Sequence, residues 1–520
     1  MGARLARTGL SVLLLESGGL DFDAAANALN RLDSSESLYA PRTHSRRRQL
    51  GGTAHLWNTR LRQQWGARLI RLDPVDFETR GWLPDSGWPF GIAAIDPFYN
   101  EAEALCGISH ERDDDEAKGA WFGREDSPIR TYVERFAYGH VFTRDLPKQL
   151  KRARNVVVTT NATVTELVSD SSGVRIRGVM CERPGHLRKL VEASVVVLAA
   201  GGIENARLML LSRDVHKKGL GNAHDLVGRY FMDHHRLDWG ALVPERAAII
   251  DSAGIFDLVQ SKGSYRMGKL TVAPHVLRAE QLLNSSIELA PRLAEDQRRL
   301  LSFMRDFVSK PSANAIVTAN TLGRSWRSTV GLAETAIQLG WRQGRFPGSV
   351  KRGMWSGLKG NHNRFGSFSL LQVIEQGPHD SNRVQLTNLR DELGQCRIQV
   401  DCQLHASDLD SVYRTRSLIK EELVRKQIGT VVGREDFCLH QVGGIHHHMG
   451  ATRMHSSPHR GVTDPQGEVH GVRNLFVVGS SVFPTGGYAN PTLTILALAI
   501  RTAAYVAQRL VEPAPIAVGS

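Results

Sequence analysis

The chain of 520 residues carries 65 Lys and Arg against 53 Asp and Glu, a formal charge of +12, with 41% hydrophobic and 23% charged residues. That length accommodates two substantial domains or one large composite, and the composition is that of a globular protein rather than a disordered or fibrous one. No uninterrupted apolar run reaches the eighteen or more residues that span a bilayer, so no transmembrane helix is expected, and no nucleic-acid-binding motif accompanies the positive charge. Five cysteines (Cys106, Cys181, Cys396, Cys402 and Cys438) are odd in number and lack a CxxC pair. That pattern argues against a disulfide framework and fits a reducing compartment, hence a cytoplasmic location.

In chain order, residues 1–11 read as the end of a helix. Residues 12–15 follow as an apolar run closed by Glu16, the pattern of the second strand of a dinucleotide-binding βαβ unit. A carboxylate at that place accepts hydrogen bonds from ribose hydroxyls, which makes Glu16 a candidate for holding an adenosine. A strand and a Gly-x-Gly-x-x-Gly turn are expected before it, to cradle a pyrophosphate on backbone N–H groups. The sequence contains neither; either Met1 is an internal methionine of a longer protein, the preferred expectation, or the chain is a genuine truncation. The strand pattern resumes at 155–159 and 162–167 and reaches the β-rich run 194–202, with a helix expected over 203–211.

The sequence therefore predicts an α/β fold. A discontinuous Rossmann-like nucleotide-binding domain is expected from 1–60, 150–235 and 441–520, lacking its first strand and glycine loop. A second, α+β substrate domain is expected from 61–149 and 236–440, built on an antiparallel sheet. Residues 265–293 and 366–402 alternate apolar and polar side chains and are expected to supply that sheet, including the runs 383–386 and 397–400. Helices are expected over 407–428 and 493–510. Residues 301–365 form a basic insertion, with ten Lys and Arg against Asp306 and Glu334, and include Trp326, Trp341 and Trp355. It reads either as a solvated insertion or as a docking surface for an acidic electron-acceptor partner or an anionic membrane.

The last eighty residues carry the densest signal: His447-x-x-Gly450-Ala451-Thr452-Arg453-Met454, Gly461-Val462-Thr463-Asp464, Val477-Val478-Gly479-Ser480-Ser481 and Asn490-Pro491-Thr492. Upstream stand Gly51-Gly52-Thr53-Ala54-His55, Asp76-Phe77-Glu78-x-Arg80, Val227-Gly228-Arg229-x-Phe231-Met232-Asp233-His234 and Glu375-Gln376-x-Pro378. In this order they resemble the glucose-methanol-choline (GMC) oxidoreductases, flavoenzymes that oxidise alcohols by hydride transfer to FAD. The resemblance implies FAD as cofactor and a small-molecule alcohol as substrate, including sugars and polyols. A dehydrogenase is preferred over an oxidase, since the basic insertion would serve an electron acceptor.

Oxidising an alcohol removes a hydride from carbon and a proton from oxygen, and histidine is suited to the proton. By resemblance the base is His447, three residues before Gly450. His446 and His448 flank it, and on an extended segment neighbours face opposite ways, so either His447 or the pair 446 and 448 faces the flavin. Asn490 is the polar partner, able to hydrogen-bond the substrate oxygen but not to act as a base. Pro491 and Thr492 begin the final helix, whose N-terminus would face the flavin where negative charge grows on reduction. The resemblance also implies that Gly51, Gly52, Val164, Gly479 and Ser480 border the cofactor, and it raises covalent attachment through His55. The competing readings are a non-catalytic or cofactor-deficient protein of the same fold, a lyase of the same family, and a metalloenzyme using His440, His446, His448, His455 or His459.

Overall fold

The computed structural model describes residues 1–33, 45–108, 121–122, 127–183, 188–261, 264–294, 330–331, 333–338, 353–433 and 443–511. Most of the basic insertion, with Trp326 and Trp341, lies outside the described residues, as do Cys438 and His440, so the docking surface expected there does too.

The short apolar runs at 12–15 and 194–200 become parallel strands. Val12–Leu15 pairs with Val156–Thr159, with Val12 opposite Val156, and Val196–Leu198 pairs with Leu475–Val477. Among the described residues these are two separate two-stranded ladders. Residues 10–15 of one and 193–200 of the other border a single cavity. After Val196–Leu198 the chain turns into the helix Glu204–Leu211, whose residues 205–210 are all buried. That burial, on every side of the helix, places it inside the core.

The helix Thr492–Val511 is long and apolar enough in composition to cross a bilayer, and half of its apolar window is buried in this fold. It packs along Asp96–Leu105, where the Tyr99 hydroxyl lies 2.7 Å from Thr494 Oγ1. Its apolar side is thus used by the core of the protein itself.

The second layer is a ten-stranded sheet. Its main path runs Gly429–Val432, His235–Pro244, Phe365–Ile374, Ser285–Leu293, Ser264–Val272, Ile129–Tyr138, Gln64–Leu69 and Thr59–Leu61, all antiparallel. Leu270, Ile287 and Leu370 from its central strands share one hydrophobic cluster. The strands expected at 383–386 and 397–400 form, but they do not join this sheet. Arg383–Arg390 and Cys396–Asp401 make a hairpin that takes Leu32–Asp33 as a third, parallel strand, with Ile398 opposite Leu32. Their buried side chains Val384, Ile398 and Val400 belong to the other core, with Phe77, Trp88 and Phe483. Alternation marks a half-buried strand but does not name the sheet it enters.

Where the chain leaves the large sheet at Ile374, Glu375 turns inward and takes Arg80 in a bidentate pair at 2.8 and 2.5 Å, both side chains 1% exposed. Asp76-Phe77-Glu78-x-Arg80 and Glu375-Gln376-x-Pro378 are therefore two halves of one buried ion pair, 295 positions apart.

Candidate active site

Three distant segments meet at His447. Its Nδ1 lies 2.9 Å from His234 Nδ1, and its Nε2 lies 3.2 Å from the Asn490 side-chain nitrogen. An amide nitrogen can only donate, so Nε2 of His447 is the acceptor and carries the free lone pair. The ring proton then sits on Nδ1 and is donated to His234. Burial holds the His447 pKa well below the usual histidine value, helped by the neighbouring His234, His448, His446 and Arg68. Burial likewise lowers His234 to about 4. Both rings are neutral at physiological pH, which leaves Nε2 of His447 ready to accept a proton.

The loop that carries His447 is held by Asp233. Its Oδ1 accepts the backbone N–H of His447 at 2.6 Å and of His234 at 2.8 Å, and its Oδ2 accepts that of His446 at 3.2 Å. Gln376 Oε1 accepts the Asp233 N–H in turn, at 2.9 Å. Burial raises the Asp233 carboxyl to about 7, against the pull of those three N–H groups. His446 has φ +63°, so 446–448 is not an extended strand, and all three histidines border the cavity. The expected alternation of faces fails at that residue, and His447 is the ring that lies 3.2 Å from the Asn490 side chain.

Asp233, His446 and His448 each place one donor atom within 4.8 Å of the others. The same carboxylate already accepts three backbone N–H groups. The cluster is accounted for by the histidine loop without an ion.

The cavity is about 1740 Å³ and is bordered by Glu16, Gly51, Gly52, Val164, His447, Ser480, Asn490, Pro491 and Thr492. It exceeds the roughly 300–1,000 Å³ of ordinary small-ligand clefts and suits a dinucleotide. Eight cationic and four acidic side chains line it, an excess that fits a pyrophosphate. At one end the Glu16 carboxylate accepts the Gly18 N–H at 2.8 Å, and its pKa is raised by burial. At the other, the final helix opens onto the cavity, its first turn closed by Ile495 N–H on the Pro491 carbonyl at 2.9 Å. Gly52, at φ +55°, has open space where a Cβ would stand, and a Cβ on Gly202 would fall 2.2 Å from the His448 carbonyl oxygen. Gly52 is thus a bare-backbone wall that a flat ligand can approach closely, while Gly202 lets its strand end pack directly against the histidine loop. The residues present therefore fit FAD at its adenosine and ring ends.

Two of the residues singled out in the sequence stand off the cavity. Gly479 does not border the cavity; its glycine is required by φ +121°, and an added Cβ would meet only Asn205 Nδ2, at 3.7 Å. His55 does not border it either, and its Nε2 lies 3.0 Å from the Leu50 carbonyl oxygen, the environment of a packed histidine. Sequence reasoning gave no role to Asp233 or His234. The available signal was a carboxylate and a histidine adjacent at the end of the 227–234 run.

Known proteins resemble this chain in sequence and in fold. The N-terminal and C-terminal family profiles of GMC oxidoreductase match residues 143–236 and 378–499, which contain Asp233, His234, His447 and Asn490. The chain is 28% identical over 325 residues to 2-methyl-1,2-propanediol dehydrogenase of Mycolicibacterium austroafricanum, a match covering 62% of this chain and 49% of that protein. It thus spans about half the length of that relative. Among solved structures it resembles pyridoxine 4-oxidase from Mesorbium loti, with TM-score 0.52 and 16% identity over 97% of this chain and 96% of that one. An FAD-dependent oxidoreductase from Chaetomium thermophilum gives TM-score 0.54 and 14% identity over 98% and 97%. The family profiles, the order of the motifs and the flavoenzyme fold converge: the chain belongs to the GMC oxidoreductases, a family of FAD-binding flavoproteins.

Proposed function

We propose that this chain oxidises an alcohol to a carbonyl compound, with His447 taking the hydroxyl proton. The observation that carries this reading is the placement of His447 between His234 and Asn490 on the wall of a dinucleotide-sized cavity. FAD, when bound, supplies the hydride acceptor. The substrate hydroxyl would replace or share the Asn490 contact, with Asn490 donating to its oxygen and His447 Nε2 accepting its proton. His234 accepts from His447 Nδ1 throughout, which fixes the tautomer and stabilises the imidazolium as it forms. Asp233 holds the backbone of the loop so that the ring keeps its aim. The N-terminus of the final helix, at Pro491 and Thr492, directs its partial positive charge into the same end of the cavity.

We read the enzyme as a dehydrogenase passing electrons to an acceptor other than oxygen, a reading supported by the name of the 2-methyl-1,2-propanediol dehydrogenase relative. The test is anaerobic mixing of the purified flavoprotein with a panel of diols and polyols. Bleaching of the flavin band that disappears in His447→Ala supports the proposal. A flavin that stays oxidised with every alcohol, or that bleaches equally in His447→Ala, refutes it. A colourless protein that takes up no FAD favours the cofactor-deficient alternative.

A further inference from the structure

The wall of the cavity beside His447 is made by the large antiparallel sheet, and its charged side chains are of one sign. Arg68 on Gln64–Leu69, Lys269 on Ser264–Val272 and Arg236 on His235–Pro244 all border the cavity. The two acids behind them, Glu134 and Glu288, do not. Lys269 and Glu134 are a buried pair at 2.9 Å, with side chains 2% and 0% exposed. Arg68 reaches Glu134 at 3.0 Å and Glu288 at 2.5 Å. These two cations are therefore spoken for.

Arg236 is different. It follows His234 by two residues, is exposed, and makes no ion pair or side-chain hydrogen bond among the described residues. Three cations against two acids leave this wall with one uncompensated positive charge, and the geometry places that charge on Arg236. The neighbouring field is consistent: Arg68, Lys269 and Arg236 together hold Glu288 at about 2 against its burial.

A guanidinium presents a planar fork of donors that matches a carboxylate or phosphate bidentately. An exposed one on the cavity wall, two residues along the chain from His234 and beside cations already matched by their own acids, is a recognition element for an anion. We propose that the substrate alcohol carries an anionic group, a carboxylate or a phosphate ester, received by Arg236 while its hydroxyl lies between His447 and Asn490. The inference rests on the alcohol-oxidation reading for its chemistry, but the anion site itself does not depend on turnover. The wall also disfavours alcohols bearing ammonium groups, because like charges would be desolvated together.

The test uses pairs of alcohols differing by one carboxylate, D-glucuronate with D-glucose and lactate with propane-1,2-diol, and two readouts. Binding to the holoenzyme is measured by calorimetry, and turnover by dye reduction. Expected is a preference of about tenfold or more for the anionic member of at least one pair, in Kd and in kcat/KM. Arg236→Gln should erase that preference chiefly through KM, Arg236→Lys should restore part of it, and added salt should weaken it. Equal or better handling of the neutral members, or an unchanged ratio in Arg236→Gln, overturns the proposal. If the anion binds in an Arg236-dependent way and no alcohol is oxidised, the anion site stands and the oxidation reading falls. If only neutral alcohols bind and turn over, the reverse holds. Carboxylates and phosphate esters are separated by repeating the comparison with D-glucose 6-phosphate.

Discussion

Glu375→Gln is the most informative perturbation of the frame. Arg80 and Glu375 are both 1% exposed and joined by two hydrogen bonds at 2.8 and 2.5 Å, and Glu375 also accepts the Asn284 N–H at 2.9 Å. Removing one partner of such a pair costs roughly 3–5 kcal/mol, because a charge is left buried without compensation. Here a second acid stands close by. Asp76 is buried, and both its burial and the charge of Glu375 push its carboxyl well above the usual range. Arg80 thus acts on two carboxyls, bonded to Glu375 and opposing the upward shift of Asp76. With Glu375 neutral, the charge that disfavours ionisation of Asp76 is gone, and Asp76 is expected to take over as the counter-charge of Arg80. Glu375→Gln should thus cost only about 2 kcal/mol at pH 7, below the range for an unassisted pair. Asp76→Asn should cost about 1 kcal/mol, the worth of a hydrogen bond to Asn284 or to the Asp73 N–H. The double variant loses both carboxylates and should cost about 4–5 kcal/mol, more than the sum of the singles. Urea unfolding followed by fluorescence of the nine tryptophans measures all three. A double variant that is merely additive, or a Glu375→Gln within about 0.5 kcal/mol of the parent, would refute the shared-guanidinium argument.

Three further outcomes are expected. Because burial keeps the His447 pKa well below its usual value, the base is already deprotonated at pH 6.5. The rate constant kcat/KM should then stay level from there upward and fall only at more acid pH; an acid limb centred at 7 or above contradicts this. Asp233→Asn replaces one of the two carboxyl oxygens that together receive three backbone N–H groups, and the displaced histidine loop should lower kcat about 100-fold with flavin content unchanged. An equal loss of bound flavin would show that Asp233 supports the whole cavity instead. For Glu204, burial raises the carboxyl, but Arg48, Arg207 and Arg46 outweigh it and hold the pKa at about 2 against an ordinary 4.5. A depressed acid stabilises the fold above its unfolded pKa and ceases to as pH falls through the folded one. Glu204→Gln should therefore cost about 3 kcal/mol at pH 7 and much less near pH 2, read from urea midpoints at both pH values.

The parts of the site legible in the sequence were those written in local patterns. Apolar runs closed by Glu16 and by Gly201-Gly202 identified parallel strands of a nucleotide-binding core. The spacing from His447 to Gly450, with Asn490-Pro491-Thr492 downstream, identified two side chains that the fold brings to 3.2 Å. What escaped was non-local or backbone-determined. His234 meets His447 across 213 positions, and no periodicity links them. The φ of +63° at His446 could not be foreseen at a residue that is not glycine, and it is what defeats the alternating-face argument for the three histidines. Val384 and Ile398 alternate as strand residues should, yet which core receives them depends on Leu32, far away in sequence. The glycine at 479 has a second reason that its sequence context did not show: its backbone angle of φ +121° needs it.

The meeting of His234, His447 and Asn490 also bears on how the protein acquires activity. His447 touches partners 213 positions before it and 43 after it, so closing the site requires both long loops to have been ordered first. Contacts of such high sequence separation form late in folding, after loop-closure entropy has been overcome. Catalytic competence should accordingly return with the slowest phase of refolding, behind the recovery of secondary structure. A chain arrested with either strand layer formed but not docked would display native-like circular dichroism and no turnover, which makes activity the stringent reporter of complete assembly.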